Sequence, residues 1–298
     1  MQIIDAHHHL WDIDNHNYPH MRGPESMRIW GPNTKLRKNY LIGDFLADIE
    51  NQNIVKSVHV QANYDHENPV GETRWLQSIA DNPSSKGFPH AIVGWVDFMS
   101  AECERQLDEH TESPNFRGIR QIASRHPSEP LLNLTPVDFL NNDTWLANYG
   151  LLKKHDLSFD HQICAHQAED TFRLARRYPE IPIILVHLAF PLERHYAGIE
   201  TWRASMRVMA ECPNISVKLS GLGMTDFYWS VESIRTFILD GIEIFGVDRC
   251  MFASNFPVDS VMSSYDTLFD AFKDVVKDFS DAEKQKLFHD NAGRVYRI

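Results

Sequence analysis

The chain has 298 residues, of which 43% are hydrophobic and 23% are charged, and 41 acidic against 29 basic residues give a formal charge of −12. This acidic balance argues against a general nucleic-acid binder, which would present a basic face, and no apolar run is long enough to cross a membrane. The four cysteines form no CxxC pair and the first residues lack the regions of a signal peptide, so we expect a cytoplasmic protein without a disulfide framework.

Eight short runs rich in β-branched residues predict strands, and longer stretches with helical spacing follow most of them. The predicted strands are residues 2–7, 55–61, 91–96, 116–122, 157–163, 182–188, 215–220 and 249–254. Helices are predicted at 70–81, 167–177, 201–211, 231–244 and 264–278, with further starts at Thr135-Pro136 and at the capping box Ser280-Asp281-Ala282-Glu283.

This alternation predicts a parallel sheet, and eight repeats in a chain of this length predict a (β/α)8 TIM barrel, an α/β fold. The alternative is an open doubly wound sheet, which would favour a glycine-rich turn after the first strand, whereas three histidines follow it here. Because the chain contains no linker-like segment, residues 1–298 form one predicted domain. Residues 11–42 then form a long loop that covers the active-site face of the barrel.

Barrel enzymes place their chemistry at the carboxyl ends of the strands. His7 and His9 end the first strand and share a face, because side chains alternate along a strand. Their Cα atoms then lie roughly 6.6 Å apart, which allows both imidazoles to reach one metal ion. His187 ends the sixth strand, at the matching position. The alternative interpretation is a set of packed, hydrogen-bonded histidines without a ligand.

The end of the eighth strand is where a barrel hydrolase would place a carboxylate that takes a proton from water. The chain reads Ser254-Asn255-Phe256-Pro257 there, and an amide cannot accept a proton at neutral pH. Asp259 follows shortly after, and its position favours a cap for the next helix over a role in the site.

Four further polar residues on the strands are candidates for substrate binding. Arg120 on the fourth strand offers a fork of N–H donors that suits a carboxylate. Lys218 on the seventh strand would need a partner or a ligand if it points into a closed barrel. Gln61 and Gln162 lie at the ends of the second and fifth strands. The motifs GxSxG, GxxxxGK[ST] and HExxH are missing from the sequence, which favours direct attack by water over an acyl-enzyme.

Four segments together resemble the amidohydrolase superfamily. They are DAHHHLW from Asp5, ILVH ending at His187, VKLSGL around Lys218 and MFASNFPV around Asn255. More narrowly, they resemble the amidohydrolase-related (amidohydrolase 2) TIM-barrel hydrolases, a group with fuconolactonases and with lactonases of carboxylated pyrone and muconolactone rings. The resemblance spans nearly the whole chain, to the closing Asn291-Ala292-Gly293-Arg294.

The resemblance implies a divalent metal, with zinc the expected ion, held by His7, His9 and His187. The family normally supplies an aspartate from the eighth strand as metal ligand and general base. Asn255 stands at that position here, so the chain lacks the residue that usually acts as metal ligand and general base.

We therefore expect a hydrolase that opens a lactone of a small sugar-acid or carboxylated molecule by attack of water. In this hypothesis the three histidines gather the carbonyl, Asn255 holds the attacking water or the carbonyl oxygen, and Arg120 or Lys218 binds the anionic group. Two alternatives remain, a metal-dependent decarboxylase of the same superfamily and a barrel that only binds a ligand. A small-molecule substrate is the expected partner, with neither nucleic acid nor membrane, and the sequence does not indicate an oligomeric state.

Overall fold

The fold is a nearly closed barrel of eight parallel strands in which each strand lies beside the next one in the chain. The computed structural model describes residues 1–135 and 137–298. The barrel strands are β1 (Ile3–His8), β2 (Ile54–Val60), β3 (Ala91–Gly94), β4 (Phe116–Ile119), β5 (Ser158–His161), β6 (Ile183–Leu185), β7 (Ile215–Leu219) and β8 (Cys250–Phe252). The predicted (β/α)8 TIM barrel is confirmed, and each predicted strand overlaps an observed one.

Hydrogen bonds just beyond β8 join the two edges of the sheet. The backbone N–H of Asn255 donates to His7 O at 2.8 Å, and that of His9 donates to Phe256 O at 2.7 Å. The closing bonds therefore lie at the carboxyl ends of β1 and β8, where they fix the candidate histidines and Asn255 relative to one another.

Helices surround the barrel and run between its strands. They are α1 (Pro19–Arg22), α2 (Ile42–Asp48), α3 (Pro69–Ala80), α4 (Cys103–Thr111), α5 (Asp143–Tyr149), α6 (Ala168–Arg177), α7 (Tyr196–Ala210), α8 (Val231–Phe245), α9 (Tyr265–Val275), α10 (Asp281–Gln285) and α11 (Asn291–Tyr296). No helix in the described part of the chain is long and apolar enough to cross a membrane.

The observed helix starts can be compared with the two that the sequence predicts from capping residues. The capping box at Ser280 is present, with the backbone N–H of Glu283 donating to Ser280 Oγ at 3.3 Å. Of the other predicted start, Pro136 lies outside the described residues. The α-helix after it begins at Asp143, where Asn142 caps the backbone N–H of Trp145.

The core has two layers. Small and aliphatic side chains such as Ile4, Val60 and Ile184 fill the barrel interior, and Tyr296 from α11 packs against them. A larger layer, rich in aromatic residues, lies between the strands and the surrounding helices. Burial of these two layers is the main driving force that fixes the strand ends in space.

The segment 11–42 leaves β1, returns to α2 and contains a small hairpin of Met27–Arg28 with Gly31–Pro32. Its two ends are joined, because Trp11 and Tyr40 exchange backbone hydrogen bonds of 2.9 Å in both directions. Tyr18 from its middle is fully buried, and its hydroxyl donates to Glu72 Oε1 on α3 at 3.5 Å.

Candidate functional site

A cavity of about 270 Å³ opens at the carboxyl ends of the barrel strands. The predicted residues His9, Arg120, Gln162, His187 and Asn255 all line it. His7 lies directly behind them, with its ring centroid 4.9 Å from that of His9 and 4.7 Å from that of His187. The structure thus brings together side chains at the carboxyl ends of β1, β4, β5, β6 and β8.

The hydrogen bonds of His7 and His9 define their tautomers. His9 Nδ1 lies 2.6 Å from Val60 O, and a carbonyl only accepts, so this nitrogen carries the proton. His9 Nε2 is then an acceptor. His7 Nε2, which lies 3.2 Å away, donates to it.

His187 is held differently. Its Nδ1 lies 2.9 Å from Ser220 Oγ, and its Nε2 has no partner in the described chain. A Cβ on Gly221 would lie 2.5 Å from His187 Nδ1, so glycine at this position makes room for the ring. Of His9 and His187, which both line the cavity, His187 is therefore the one with a nitrogen left free for a ligand; His7 Nδ1 also lacks a partner, but His7 does not line the cavity.

The imidazoles of this site are neutral near pH 7. Burial lowers the pKa of His7 and His187 well below the ordinary value, and the positive charges of Lys218 and Arg120 lower it further. Burial lowers the pKa of His9 in the same way, with Arg120 adding to the effect. Neutral imidazoles can accept a proton, accept a hydrogen bond or bind a metal ion.

The backbone that carries His187 is unusual. His187, Leu188, Ala189 and Phe190 all have a positive φ, between 53° and 56°. Left-handed backbone costs an L-residue roughly 1–2 kcal/mol at each position, so packing must hold this turn in place. One such contact is the indole N–H of Trp202, which donates to Leu188 O at 2.8 Å.

Arg120 is a buried cation at the floor of the cavity. It is 4% exposed, donates to Gln162 Oε1 at 3.0 Å and to the backbone oxygen of Gln61, and leaves Nε without a partner. Burial lowers its pKa to about 10, against the opposing charges of Asp160 and Glu72, so it stays charged at neutral pH. No carboxylate among residues 1–135 and 137–298 forms an ion pair with it.

Lys218 and Gln61 lie beside the cavity without lining it. Lys218 is fully buried in the barrel and its ammonium pairs with Asp160. Tyr296 O–H donates to Asp160 from below at 3.0 Å. Gln61 Oε1 accepts from the backbone N–H of Asn63 at 2.6 Å. A direct substrate contact by either residue stays a prediction.

Asn255 is bound to a carboxyl behind it. Its Nδ2 donates to Asp259 Oδ1 at 2.8 Å, whereas its Oδ1 has no partner among the described residues. Burial raises the pKa of Asp259 to about 7. The helix cap predicted for Asp259 is wrong, because Ser264 caps α9 by accepting from the backbone N–H of Thr267. The spacing of four residues from Asn255 is the only sequence signal that would have pointed to this contact.

The histidines fit a metal ion in part. The two facing nitrogens of His7 and His9 are 3.2 Å apart. Two ligands of a tetrahedral zinc ion at its usual bond length are about 3.3 Å apart. The described residues, however, contain no group of three or more His, Cys, Asp or Glu arranged to hold a metal ion. The pair suits zinc, but the set is incomplete, and binding by His7, His9 and His187 together stays a prediction.

The outer wall of the cavity is mainly apolar and comes from loops. The segment 11–42 contributes Trp11, Ile29 and Trp30 to it, together with the polar residues His20 and Arg28. The other apolar wall residues are Ile122, Leu131, Leu132, Leu134, Phe190, Met224 and Val258. Ile29 and Trp30 belong to the same apolar cluster as Leu132, Phe190 and Met224. No strand pattern singles out these wall residues, because loop conformation decides which of them face inward.

The comparisons with known proteins agree with this geometry. The family model described as Amidohydrolase matches residues 4–298. An uncharacterized protein, y4mH of Sinorhizobium fredii, is 43% identical over 298 residues, covering 99% of this chain and 98% of that protein. The L-fucono-1,5-lactonase of Burkholderia ambifaria is 25% identical over 265 residues, covering 88% of this chain and 82% of that enzyme. The solved structure of an amidohydrolase from Burkholderia multivorans with bound zinc superposes with a TM-score of 0.81 at 23% identity, covering 100% of both chains, which shows a shared fold.

Proposed function

Because the chain belongs to the amidohydrolase family, we propose that it is a hydrolase that opens a lactone of a small carboxylated or sugar-acid molecule. Arg120 carries this proposal, since it is a charged side chain buried beside neutral histidines without a carboxylate partner in the described chain. The similarity to an L-fucono-1,5-lactonase supports a lactone as the reacting group.

For a carboxylated lactone, binding starts with the free anionic group of the substrate. A carboxylate that enters the cavity pairs with the guanidinium of Arg120, a cavity-lining cation without a carboxylate partner among the described residues. Gln162 already holds one side of that guanidinium, so the fork is fixed before the substrate arrives. The negative charge of the whole chain does not oppose this step, because the local charge of the cavity governs the final approach.

Ring opening then needs a water, a proton acceptor and a donor to the leaving oxygen. Asn255 Oδ1 accepts a hydrogen bond from the attacking water, and the free Nε2 of His187 takes its proton. The water oxygen bonds to the carbonyl carbon, the ring C–O bond breaks, and the proton passes from His187 to the ring oxygen. The product is the open-chain hydroxy acid, and protons are conserved overall. None of these steps is assigned to a metal ion.

A panel of carboxylated and sugar-derived lactones, followed by acid release with a pH indicator, tests the proposal. We expect turnover of carboxylated lactones. Parallel assays with a chelator show whether this turnover depends on a metal ion. The variant Arg120→Gln should raise KM at least about tenfold, since a charge-assisted hydrogen-bond pair contributes on that order.

Arg117→Gln is the matched control, because Arg117 lies on β4, three residues before Arg120, and donates only to the backbone oxygens of Pro114 and Phe116. No turnover across the panel would favour a ligand-binding barrel. Release of carbon dioxide from aromatic carboxylic acids in place of ring opening would favour the decarboxylase.

A further inference from the structure

The eighth strand ends in an amide where a hydrolase of this fold would use a carboxylate, yet a carboxylate lies directly behind that amide. We propose that Asp259 is a positioning residue that fixes Asn255 with its side-chain oxygen facing the cavity. The kinetic part of this inference rests on the proposed lactone hydrolysis.

The two ends of a carboxamide have nearly the same shape, so hydrogen bonds alone decide which end faces the cavity. Nδ2 of Asn255 lies 2.8 Å from Asp259 Oδ1 and 3.5 Å from Met224 Sδ. Met224 Sδ is an acceptor, and Asp259 accepts with both oxygens once it is ionised, above its pKa of about 7. A flipped amide would place its own oxygen against the carboxylate of Asp259, where two acceptors repel each other. The oxygen of Asn255 is therefore directed toward the cavity.

The backbone reinforces this arrangement. Asn255 has a φ of +58°, a conformation that asparagine tolerates better than most residues. Its N–H donates to His7 O at 2.8 Å, and its carbonyl accepts from the N–H of Asp259 at 3.2 Å. Main chain and side chain thus join Asn255 and Asp259 as one unit, anchored to the strand that carries His7.

Asp259 has no evident structural reason to be a carboxylic acid. It is 1% exposed, its Oδ2 has no partner in the described chain, and Ser264 already caps the following helix. A buried carboxyl with an unsatisfied oxygen destabilises the fold, so a residue of this kind calls for a functional explanation. Its side chain does not line the cavity, which means that it acts through Asn255.

The first test is kinetic and uses Asp259→Asn, which keeps the size of the side chain but pairs equally well with either orientation of Asn255. We expect kcat to fall about twofold with little change in KM, since about half of the molecules then turn the side-chain NH₂ of Asn255 toward the attacking water and lose the hydrogen bond to it. In an Asn255→Ala background the same substitution should leave kcat unchanged, because the residue through which it acts is gone. An equal loss in both backgrounds would overturn the proposal.

The second test needs no substrate. In ¹⁵N-labelled protein, the side-chain NH₂ signals of Asn255 are identified by their loss in Asn255→Ala. We expect these protons to be protected from hydrogen exchange in the unmodified protein, and their shifts to move toward those of a free amide in Asp259→Asn. The exposed Asp270→Asn is the matched control and should leave them unchanged.

Unprotected NH₂ protons in the unmodified protein would overturn the proposal even if Asp259→Asn did not fold, and so would unchanged shifts in a folded Asp259→Asn. A lactone panel without turnover, combined with protected and shifting signals, would count against the proposed function and leave the orientation of Asn255 established.

Discussion

The histidines at the cavity differ in how many of their ring nitrogens form hydrogen bonds within the protein. His9 uses Nδ1 for Val60 O and faces His7 with Nε2, so both of its nitrogens are engaged within the protein. His187 uses only Nδ1, for Ser220. Alternation along a strand predicts that His7 and His9 share a face, but it cannot show which histidine keeps a free nitrogen. That property depends on partners from other strands.

Replacing His187 by alanine should lower kcat by about 10²–10⁴-fold, the usual contribution of a general acid–base group. The protein should remain folded, because the ring lies at the cavity and outside the two core layers. The measurement is turnover of the best lactone substrate, alongside the thermal unfolding midpoint. His166→Ala, a change at an exposed histidine, is the control. An unchanged rate in His187→Ala would place the chemistry elsewhere.

Replacing Asn255 by aspartate should raise the zinc content of the purified protein. A carboxylate is a stronger ligand than an amide oxygen, and it would stand beside the pair His7 and His9, whose spacing already suits zinc. Elemental analysis of the two proteins, purified in the same way, measures the effect. Equal zinc in both would contradict a metal position shared by the end of β8 and the histidine pair.

The loop segment 11–42 and helix α3 show how an element is attached to the barrel. The segment is closed at its base by Trp11 and Tyr40 and is joined to the barrel wall through Tyr18 and Glu72. Glu72 also accepts from the backbone N–H of Ala62 at 3.0 Å. Because burial raises the pKa of this carboxyl from 4.5 to about 7, the attachment should respond to pH.

The sign of that response follows from linkage. A carboxyl whose pKa is raised by folding binds its proton more tightly in the folded state, so its contribution is full below pH 4.5 and is lost as pH rises through about 7. Relative to Glu72→Gln, the unmodified protein should lose about 3 kcal/mol of unfolding free energy between pH 4.5 and pH 8. Urea unfolding at several pH values measures the free energy of unfolding of both proteins. Comparing how this free energy changes with pH removes any difference in stability that is the same at every pH.

Glu67→Gln is the control for this experiment, since Glu67 is exposed just before α3. It should leave the pH slope of the unmodified protein unchanged. Parallel curves for Glu72→Gln and the unmodified protein would show that Glu72 titrates with an ordinary pKa.

The elements themselves divide into those that local sequence predicts and those it does not. The barrel strands are short, apolar and β-branched, so their pattern identifies them within a few residues of the observed bounds. The pattern missed α4, whose sequence CERQLDEHT is largely polar with a thin apolar face. It also gave no sign of the left-handed turn after β6, because none of its four residues is glycine.

At the scale of the whole molecule, a buried ion pair lies inside the closed barrel. Lys218 and Asp160 come from β7 and β5, and Tyr296 from α11 completes the group. The sequence predicts that an inward lysine needs a partner, but which of several acidic residues supplies it is a property of the closed barrel. The same limit applies to Asn255 and Asp259, whose contact depends on the turn between them.

Replacing Lys218 by methionine should destabilise the protein by about 3–5 kcal/mol, because it leaves the carboxylate of Asp160 buried without its counter-charge. Adding Asp160→Asn to Lys218→Met should recover most of that loss, since neither member of the pair then leaves a charge without its partner. Denaturant unfolding of the single and double variants measures both effects. A double variant as unstable as the single one would show that shape, and not charge, sets the penalty.

The left-handed turn from His187 to Phe190 also matters to anyone who wishes to redesign the specificity of this protein. Its conformation is maintained from the outer face of the barrel, in part by Trp202 on α7, which lies away from the cavity. Random changes inside the cavity risk losing the reactive groups, whereas small changes at Trp202 should tilt His187 and Phe190 by increments. Directed evolution could therefore begin at positions such as Trp202, on the outer face of the barrel and away from the ligand.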